Sequence, residues 1–264
     1  MAKESNLSLD DAAAHLGVHY QTAYRWVRAG KLRATKVGGR YRVASDDLLA
    51  FEEQRSKPEG PPSPSNVRLG RQRRAMIEAL FAGDETKVMQ IADTLTSNGT
   101  SVTRLIEEVL APPLAEIGQA WRQGAATIFV EHRASAIVER VLGRLSPNPR
   151  GRRRGVALVA GVAGDRHSLP TLMATVALRE DRWTVQHLGA DVPVDELVTF
   201  IEGHKTDLVV LSAVGPGAVD RARQAEANIS EQVGVPVLVG QPGASLSHLQ
   251  SAARGLPAPD DGRE

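Results

Sequence analysis

Cysteine does not occur in this 264-residue sequence. Its absence excludes a disulfide framework, a thiolate nucleophile and any zinc or iron–sulfur centre held by sulfur. A metal must therefore come through histidine, carboxylate or a cofactor. Long apolar runs are missing too: the longest, residues 155–162 and 207–214, are too short to span a bilayer, and residues 1–30 lack the apolar core of a signal peptide. These absences predict no membrane partner and a cytoplasmic location. The remainder is ordinary for globular protein, 42% apolar and 24% charged, in a length that accommodates two or three modest domains. The formal net charge is only +1, but acidic residues are absent between positions 19 and 44, where Arg25, Arg28, Lys31, Arg33, Lys36, Arg40 and Arg42 carry seven positive charges. A field of that sign suits a phosphate backbone.

The pattern around those charges is helical, then extended. Ser8 followed by Leu9-Asp10-Asp11 reads as a capped helix start with acid in the first turn, and Gly17 ends it. A second helix from about Tyr20 to Ala29 sets Tyr20, Gln21, Arg25 and Arg28 on one side, with Ala23, Tyr24 and Val27 largely on the other. Two short helices about a glycine turn make a helix-turn-helix. Residues 32–37, Gly38-Gly39 and residues 40–43 then read as strand, turn and strand, a wing, and residues 46–54 as a closing helix. His15 and His19 have a metal-like spacing, but Gly17 interrupts the helix between them and no metal site is expected there.

Residues 56–66 hold four prolines and almost no large apolar side chain, which predicts an extended, semi-rigid linker. Residues 71–81, 84–96, 101–119 and 127–145 carry apolar positions at three- and four-residue spacing, among them Val102, Leu105, Ile106, Val109 and Leu110. Short connections between them predict an antiparallel four-helix bundle, with the third segment broken or kinked at Pro112-Pro113. After a second, basic linker at residues 146–154 the pattern changes. Short apolar strands at 156–162, 184–188, 208–214 and 235–239 alternate with helical segments at 169–179, 194–201 and 218–233. This predicts a parallel sheet covered on both faces, with ligands at the carboxyl ends of its strands. The expected fold class is multidomain α and α/β: a winged helix-turn-helix (1–55), a linker (56–68), a four-helix bundle (69–148) and a flavodoxin-like, Rossmann-type sheet (152–254). The polar residues 255–264 are expected to be a disordered tail.

His167 falls just after the first of these strands, two residues beyond Asp165. Cobalt accepts imidazole readily, and a ligating histidine usually gives its other N–H to a carboxylate. A strand-terminal D-x-H is weak by itself. It gains force from Trp121 with Glu131-His132 ten and eleven positions later, from Leu188-Gly189-Ala190-Asp191 after the second strand, from Leu211-Ser212-Ala213-Val214 after the third and from Val237-Leu238-Val239-Gly240 after the fourth.

The run from Ala12 to Leu49 resembles the excisionase and MerR-type winged-helix family. Residues from about 69 to 245 resemble cobalamin-binding proteins, in which a W-x9-E-H cap lies over a D-x-H sheet. Head, bundle and sheet in this order resemble the CarH-like, light-responsive MerR-type repressors. The resemblance implies His167 as the metal ligand below cobalt and Asp165 as its orienter. It implies Ser212 and Gly240 along the buried nucleotide tail, with Arg166, Ser168, Ala213, Val214 and Gln241 beside them, and Trp121, Glu131 and His132 over the upper face. For the head it implies contacts to operator DNA from Tyr20, Gln21, Thr22, Arg25, Arg28, Arg40, Tyr41 and Arg42. Cobalamin, most readily adenosylcobalamin, would control a homo-oligomer, dimer or tetramer, without catalytic turnover.

The sequence departs from that pattern in four places. Pro170 stands where the motif has glycine. Gly240-Gln241 replaces a glycine pair. Little resembling a fifth strand and closing helix follows Leu249. Arg122 occupies the position of a histidine that can become a second axial ligand after photolysis, leaving His132 or water for that role. A corrinoid carrier for methyl transfer, a light-independent cobalamin sensor and a regulator that has lost its cofactor are the alternatives.

Overall fold

The computed structural model describes residues 6–16, 20–28, 30–56, 64–146 and 151–256. The chain divides into two compact units, residues 1–67 and 68–264.

In the first unit a short strand β1 (Asn6–Ser8) leads into α1 (Leu9–His15), α2 (Tyr20–Arg28), β2 (Thr35–Val37), β3 (Arg40–Ala44) and α3 (Ser45–Ser56). Ser8 and Asp11 form a reciprocal capping box: the Asp11 N–H donates to Ser8 Oγ at 3.1 Å, and the Ser8 N–H reaches back to Asp11 Oδ2 at 3.3 Å. The wing is a three-stranded antiparallel sheet in the order β1-β3-β2, not the two-stranded hairpin expected, because Asn6–Ser8 pair along the open edge of β3. Leu9, Ala12, Ala13, Leu16, Ala23, Leu32, Val43, Leu48 and Phe51 make the core. Tyr24 is not part of it. It is exposed and stacks on Tyr20 at 6.2 Å between ring centroids, because Ala23 already fills the inward position.

The second unit starts with helices. Helix α4 (Pro64–Ala82) begins inside the stretch expected to be an extended linker, with Pro64 at its first position, where the missing N–H costs nothing. Helices α5 (Glu85–Ser97), α6 (Val102–Leu105), α7 (Ala111–Arg122) and α8 (Ile128–Leu145) complete the bundle. The third segment neither breaks nor stops at Pro112-Pro113. A π-helical turn, Ile106–Leu110, joins α6 to α7, and the Ala111 N–H bonds to the Ile106 carbonyl, five residues back. The wider turn brings both prolines to the start of a new α-helix, where no donor is required of them.

The sheet consists of β4 (Val156–Val162), β5 (Thr184–Val192), β6 (Leu208–Ser212) and β7 (Val237–Gly240), all parallel, in the order β5-β4-β6-β7. Strand alternation gives each face its own core. Leu158, Ala160, Val162, Val209 and Leu211 pack against α10 (Val194–Gly203) and α11 (Ala218–Gln232). Ala157, Val159, Leu208 and Val210 pack against α9 (Ser168–Glu180) and α12 (Leu246–Arg254). Helix α12 is the closing helix that the sequence after Leu249 did not announce. It starts three residues earlier, capped by Ser245, and turns Leu246, Leu249 and Ala253 inward together with one polar residue, Gln250.

Two carboxylates hold the bundle to the sheet. Glu180, the last residue of α9, caps α6 of the bundle: it accepts from the N–H groups of Val102 (2.6 Å) and Thr103 (2.9 Å) and from Thr103 Oγ1 (2.6 Å). In return, Glu107 of the bundle caps α12, accepting from the Ser247 N–H (2.8 Å) and Ser247 Oγ (2.7 Å). Buried Gln250 joins the two, donating to Thr103 Oγ1 at 2.9 Å and to the Ala177 carbonyl at 2.8 Å. Glu180→Ala leaves two helix-start N–H groups without an acceptor and should lower the unfolding free energy in urea by about 2 kcal/mol. Glu180→Gln, which keeps one acceptor oxygen, should lose less.

Candidate functional site

Winding reverses between β4 and β6, and the crevice outside their carboxyl ends is where such sheets take ligands. His167 stands there as the residue before α9. Its Nδ1 lies 2.5 Å from Oδ1 of Asp165, a residue only 2% exposed. The other carboxylate oxygen of Asp165 accepts from the N–H groups of Val214 (2.7 Å) and Gly215 (3.0 Å). Burial pushes the Asp165 pKa up, but the Gly215 N–H, the His167 imidazole and the N–H groups of Val214 and His167 together outweigh it and hold it below the usual carboxylate range. A carboxylate against Nδ1 favours the tautomer protonated there, in which Nε2 keeps its lone pair. Nε2 has no hydrogen-bond partner among the described residues, and the imidazole side chain is 60% exposed.

The loop carrying His167 is braced from both sides. The Gly164 N–H donates to Asp191 Oδ1 at 2.6 Å, and the Asp191 N–H to the Asp165 carbonyl at 3.0 Å. Arg221 of α11 donates from Nε to the Ala163 carbonyl at 2.7 Å. Gly215 lets the loop approach closely, since a Cβ there would lie 3.1 Å from Asp165 Oδ1 and push that carboxylate by a few tenths of an ångström. Asp191 closes the segment Leu188-Gly189-Ala190-Asp191 that the sequence ties to the D-x-H motif, whereas Gly215 and Arg221 carry no such signal. The glycine-rich run Val214-Gly215-Pro216-Gly217 after β6 was the available hint of backbone N–H groups turned toward an anion.

Beside this loop, between the carboxyl ends of β6 and β7, the π-helical turn and α12, lies a cavity of about 600 Å³. Its lining includes Ser212, Val214, Gly240 and Gln241, as expected, together with Pro170 and Ile106. Pro170 sits in the first turn of α9, where a missing N–H is harmless. Ala213 does not line the cavity: it is fully buried in the core on the α10–α11 side, and its N–H bonds to the Gly240 carbonyl. Arg166 and Ser168 are also outside the lining. Arg166 is 92% exposed and 4.0 Å from Asp191, and Ser168 gives its carbonyl to Thr171 Oγ1. On the bundle, Trp121 is 43% exposed at the end of α7. Glu131 and His132 occupy the first turns of α8, with their side chains 3.5 Å apart and Ser135 Oγ donating to Glu131 at 2.9 Å. No hydrogen bond joins these three to Asp165 or His167 among the described residues.

In the head, Arg28 and Arg42 are exposed, and Tyr20 is 39% exposed. Tyr41 is half-buried, edge-on to Tyr24 at 5.9 Å, so it belongs to the aromatic stack and not to an open wing face. The side chains of Gln21, Thr22, Arg25 and Arg40 lie outside the described residues.

Among the described residues no three metal-ligating side chains come together. A single imidazole can retain a metal that brings its other ligands with it. One presented imidazole beside an apolar cavity fits a metal-bearing organic cofactor with a tail, and a bare ion fits it poorly.

The family models agree with this class. Residues 7–56 match a helix-turn-helix domain, and residues 72–146 and 155–262 each match a B12 binding domain. The chain thus joins a helix-turn-helix head to B12-binding domains, and it is homologous to two repressors of Myxococcus xanthus. It is 29% identical to the HTH-type transcriptional repressor CarH over 67% of this chain and 59% of that protein. It is 31% identical to the HTH-type transcriptional repressor CarA over 71% of this chain and 62% of that protein. The chain therefore spans about three fifths of the length of these relatives. The monomethylamine corrinoid protein of Methanosarcina barkeri shares the fold, with a TM-score of 0.53 at 16% identity over 67% of this chain and 86% of that one. Among the described residues no helix is long and apolar enough to cross a membrane.

If the Asp165 carboxylate sets the tautomer, Asp165→Asn should raise the share of the Nε2–H form of His167 to the majority at neutral pH. Nitrogen-15 shifts of the ring measure it, and an unchanged tautomer ratio would remove Asp165 from the orienting role.

Proposed function

We propose that this protein is a cobalamin-dependent transcriptional regulator: a repressor in which adenosylcobalamin sets the oligomeric state, dimer or tetramer, and through it the grip on operator DNA, with light as the signal. The observation that carries this reading is the union in one chain of a helix-turn-helix head with a singly presented imidazole beside an apolar cavity of about 600 Å³. The homology to CarH and CarA supports the repressor class.

His167 would ligate cobalt through Nε2, with Asp165 holding the ring. Ser212, Val214, Gly240 and Gln241 would line the path of the nucleotide tail. Trp121, Glu131 and His132 would cover the upper face. Bound adenosylcobalamin supplies a cobalt–carbon bond that light can cleave. The protein's part is to hold bundle and sheet in the arrangement that oligomerises while the upper substituent is in place. Several heads brought to one operator gain by effective concentration what one head lacks. The same bundle and sheet serve corrinoid carriers, a reading favoured by the likeness in fold to the methylamine corrinoid protein; the helix-turn-helix head argues for DNA.

Reconstitution in darkness with adenosylcobalamin tests the reading. His167→Ala should weaken retention and shift the absorption spectrum toward the base-on or water-ligated form; an unchanged spectrum and affinity would exclude His167 as ligand. Light scattering should show a dark oligomer whose mass falls on green illumination, with DNA affinity falling in parallel. Trp121→Ala should assemble poorly in the dark although cobalamin stays bound. An oligomer indifferent to light would leave cobalamin supply as the signal.

For the head, Arg42→Ala should weaken binding to all DNA sequences alike and reduce the slope of log K against log salt by about one unit. Arg25→Ala should instead erode discrimination between operator and random sequence, as loss of a base contact does. Gel shifts across a salt series separate the two.

A further inference from the structure

The opposite edge of the sheet carries a second cavity, of about 630 Å³, where β4, β5 and β6 begin. Seven residues of β4 at about 3.3 Å each separate it from His167 by about 20 Å. It is distinct from the site already described. Six basic side chains line it, Arg152, Arg153, Arg154, Arg182, Lys205 and Arg254, against one lining carboxylate, Asp207. The basic stretch before β4, which the functional reading leaves unused, supplies three of the six.

Part of this charge has a structural explanation. Buried Asp181 holds Arg154 at 3.2 Å and Arg254 at 2.8 Å, and Asp207 Oδ2 accepts from the Val156 N–H at 2.7 Å. Helices α9, α10 and α12 end at this edge, and each helix C-terminus attracts cations with about half a negative charge. With Arg152 left out of the count, two carboxylates and three such termini still leave a surplus of more than one positive charge. That surplus rests on identifiable groups. Arg182 and Lys205 make no side-chain hydrogen bond or ion pair among the described residues, and Arg153 has only a 3.5 Å contact to Thr184 Oγ1. The lining also includes Trp183, whose buried indole N–H has no acceptor among the described residues.

Arg182 adds a second kind of observation. It closes α9 in a Schellman turn: its own N–H bonds to the Arg179 carbonyl and the Trp183 N–H to the Leu178 carbonyl. Its φ is 68°, a left-handed conformation in which glycine is favoured and an arginine is strained. Strain kept at a position whose side chain makes no hydrogen bond or ion pair among the described residues points to a use outside the fold.

We propose that this cavity binds a small anion bearing two or more phosphates, gripped by Arg153, Arg182 and Lys205. Guanidinium forks match phosphate oxygens in pairs, and the cavity has the size of a small-molecule site. Its concave shape favours such a ligand over duplex DNA, whose backbone is convex and rides on ridges. The site works independently of the cobalamin reading.

Calorimetry of the full chain with inorganic tripolyphosphate tests the proposal. Saturable binding is expected, weakened at least tenfold by Arg153→Ala combined with Arg182→Gly, while operator binding is unchanged. Arg182→Gly relieves the strained turn, so its Tm should rise as the anion affinity falls, which separates lost binding from lost folding. Lys205→Ala, at an exposed position without a partner among the described residues, provides an independent variant and should weaken binding several-fold. ATP binding as tightly as tripolyphosphate would mean that the phosphate chain alone is read; tighter binding would add recognition of the nucleoside. Tripolyphosphate displaced equally by sulfate at matched ionic strength, or bound undiminished by the variants, overturns the proposal. So does a surface that takes random duplex DNA but not tripolyphosphate.

Discussion

A buried carboxylate is stable as an anion only where enough N–H groups face it, and the arrangement of this sheet's ligand edge follows from meeting that demand at Asp165. Its oxygens draw in the backbone of Val214 and Gly215 from the β6–α11 loop and the ring of His167 from its own loop, while its carbonyl takes the N–H of Asp191 at the end of β5. Three loops from three strands are therefore fixed by one residue. The small size of Gly215 leaves room for the carboxylate, and Arg221 reaches under the loop to Ala163, so that the convergence holds. The orientation of His167 is inherited from all of them.

Elements whose signal is a repeated local preference were legible in the sequence. The central strands β4 and β6 are buried on both faces and read as near-continuous apolar runs, so β4 was found to the residue. The bundle helices have a clean apolar stripe. Elements that depend on a partner elsewhere in the chain were not legible. β1 has three residues and exists because β3 offers an open edge. Helix α12 turns Gln250 inward, which a hydrophobicity pattern scores against a buried face; the side chain is accommodated because Thr103 and Ala177 supply its acceptors. The π-helical turn answers two prolines that a local rule could only treat as a stop.

The candidate site divides along the same line. His167, Asp165, Ser212, Val214, Gly240 and Gln241 sit at the ends of strands, where the alternation of strand and helix already marks the ligand edge. Ala213, one residue along from Ser212, turns to the other face of the sheet and so falls out of the cavity lining. Asp191 and Arg221 reach backbone groups of the loop with their side chains and Gly215 acts through its own N–H, and nothing in a residue's type announces which of these groups it will meet. The π-helical turn brings Ile106 to the cavity wall, so a helical irregularity in the bundle shapes a cavity in the sheet.

The two carboxylates exchanged between bundle and sheet constrain how these parts can move. Glu180 and Glu107 each close the start of a helix belonging to the other part. A sliding displacement of the bundle would strip both helix starts at once and expose paired N–H groups with no acceptor. Rotation would in turn pull Val176 of α9, with Leu169, Leu172 and Met173, out of the bundle core. Bundle and sheet thus share one core, and the exchanged caps at α6 and α12 fix its register.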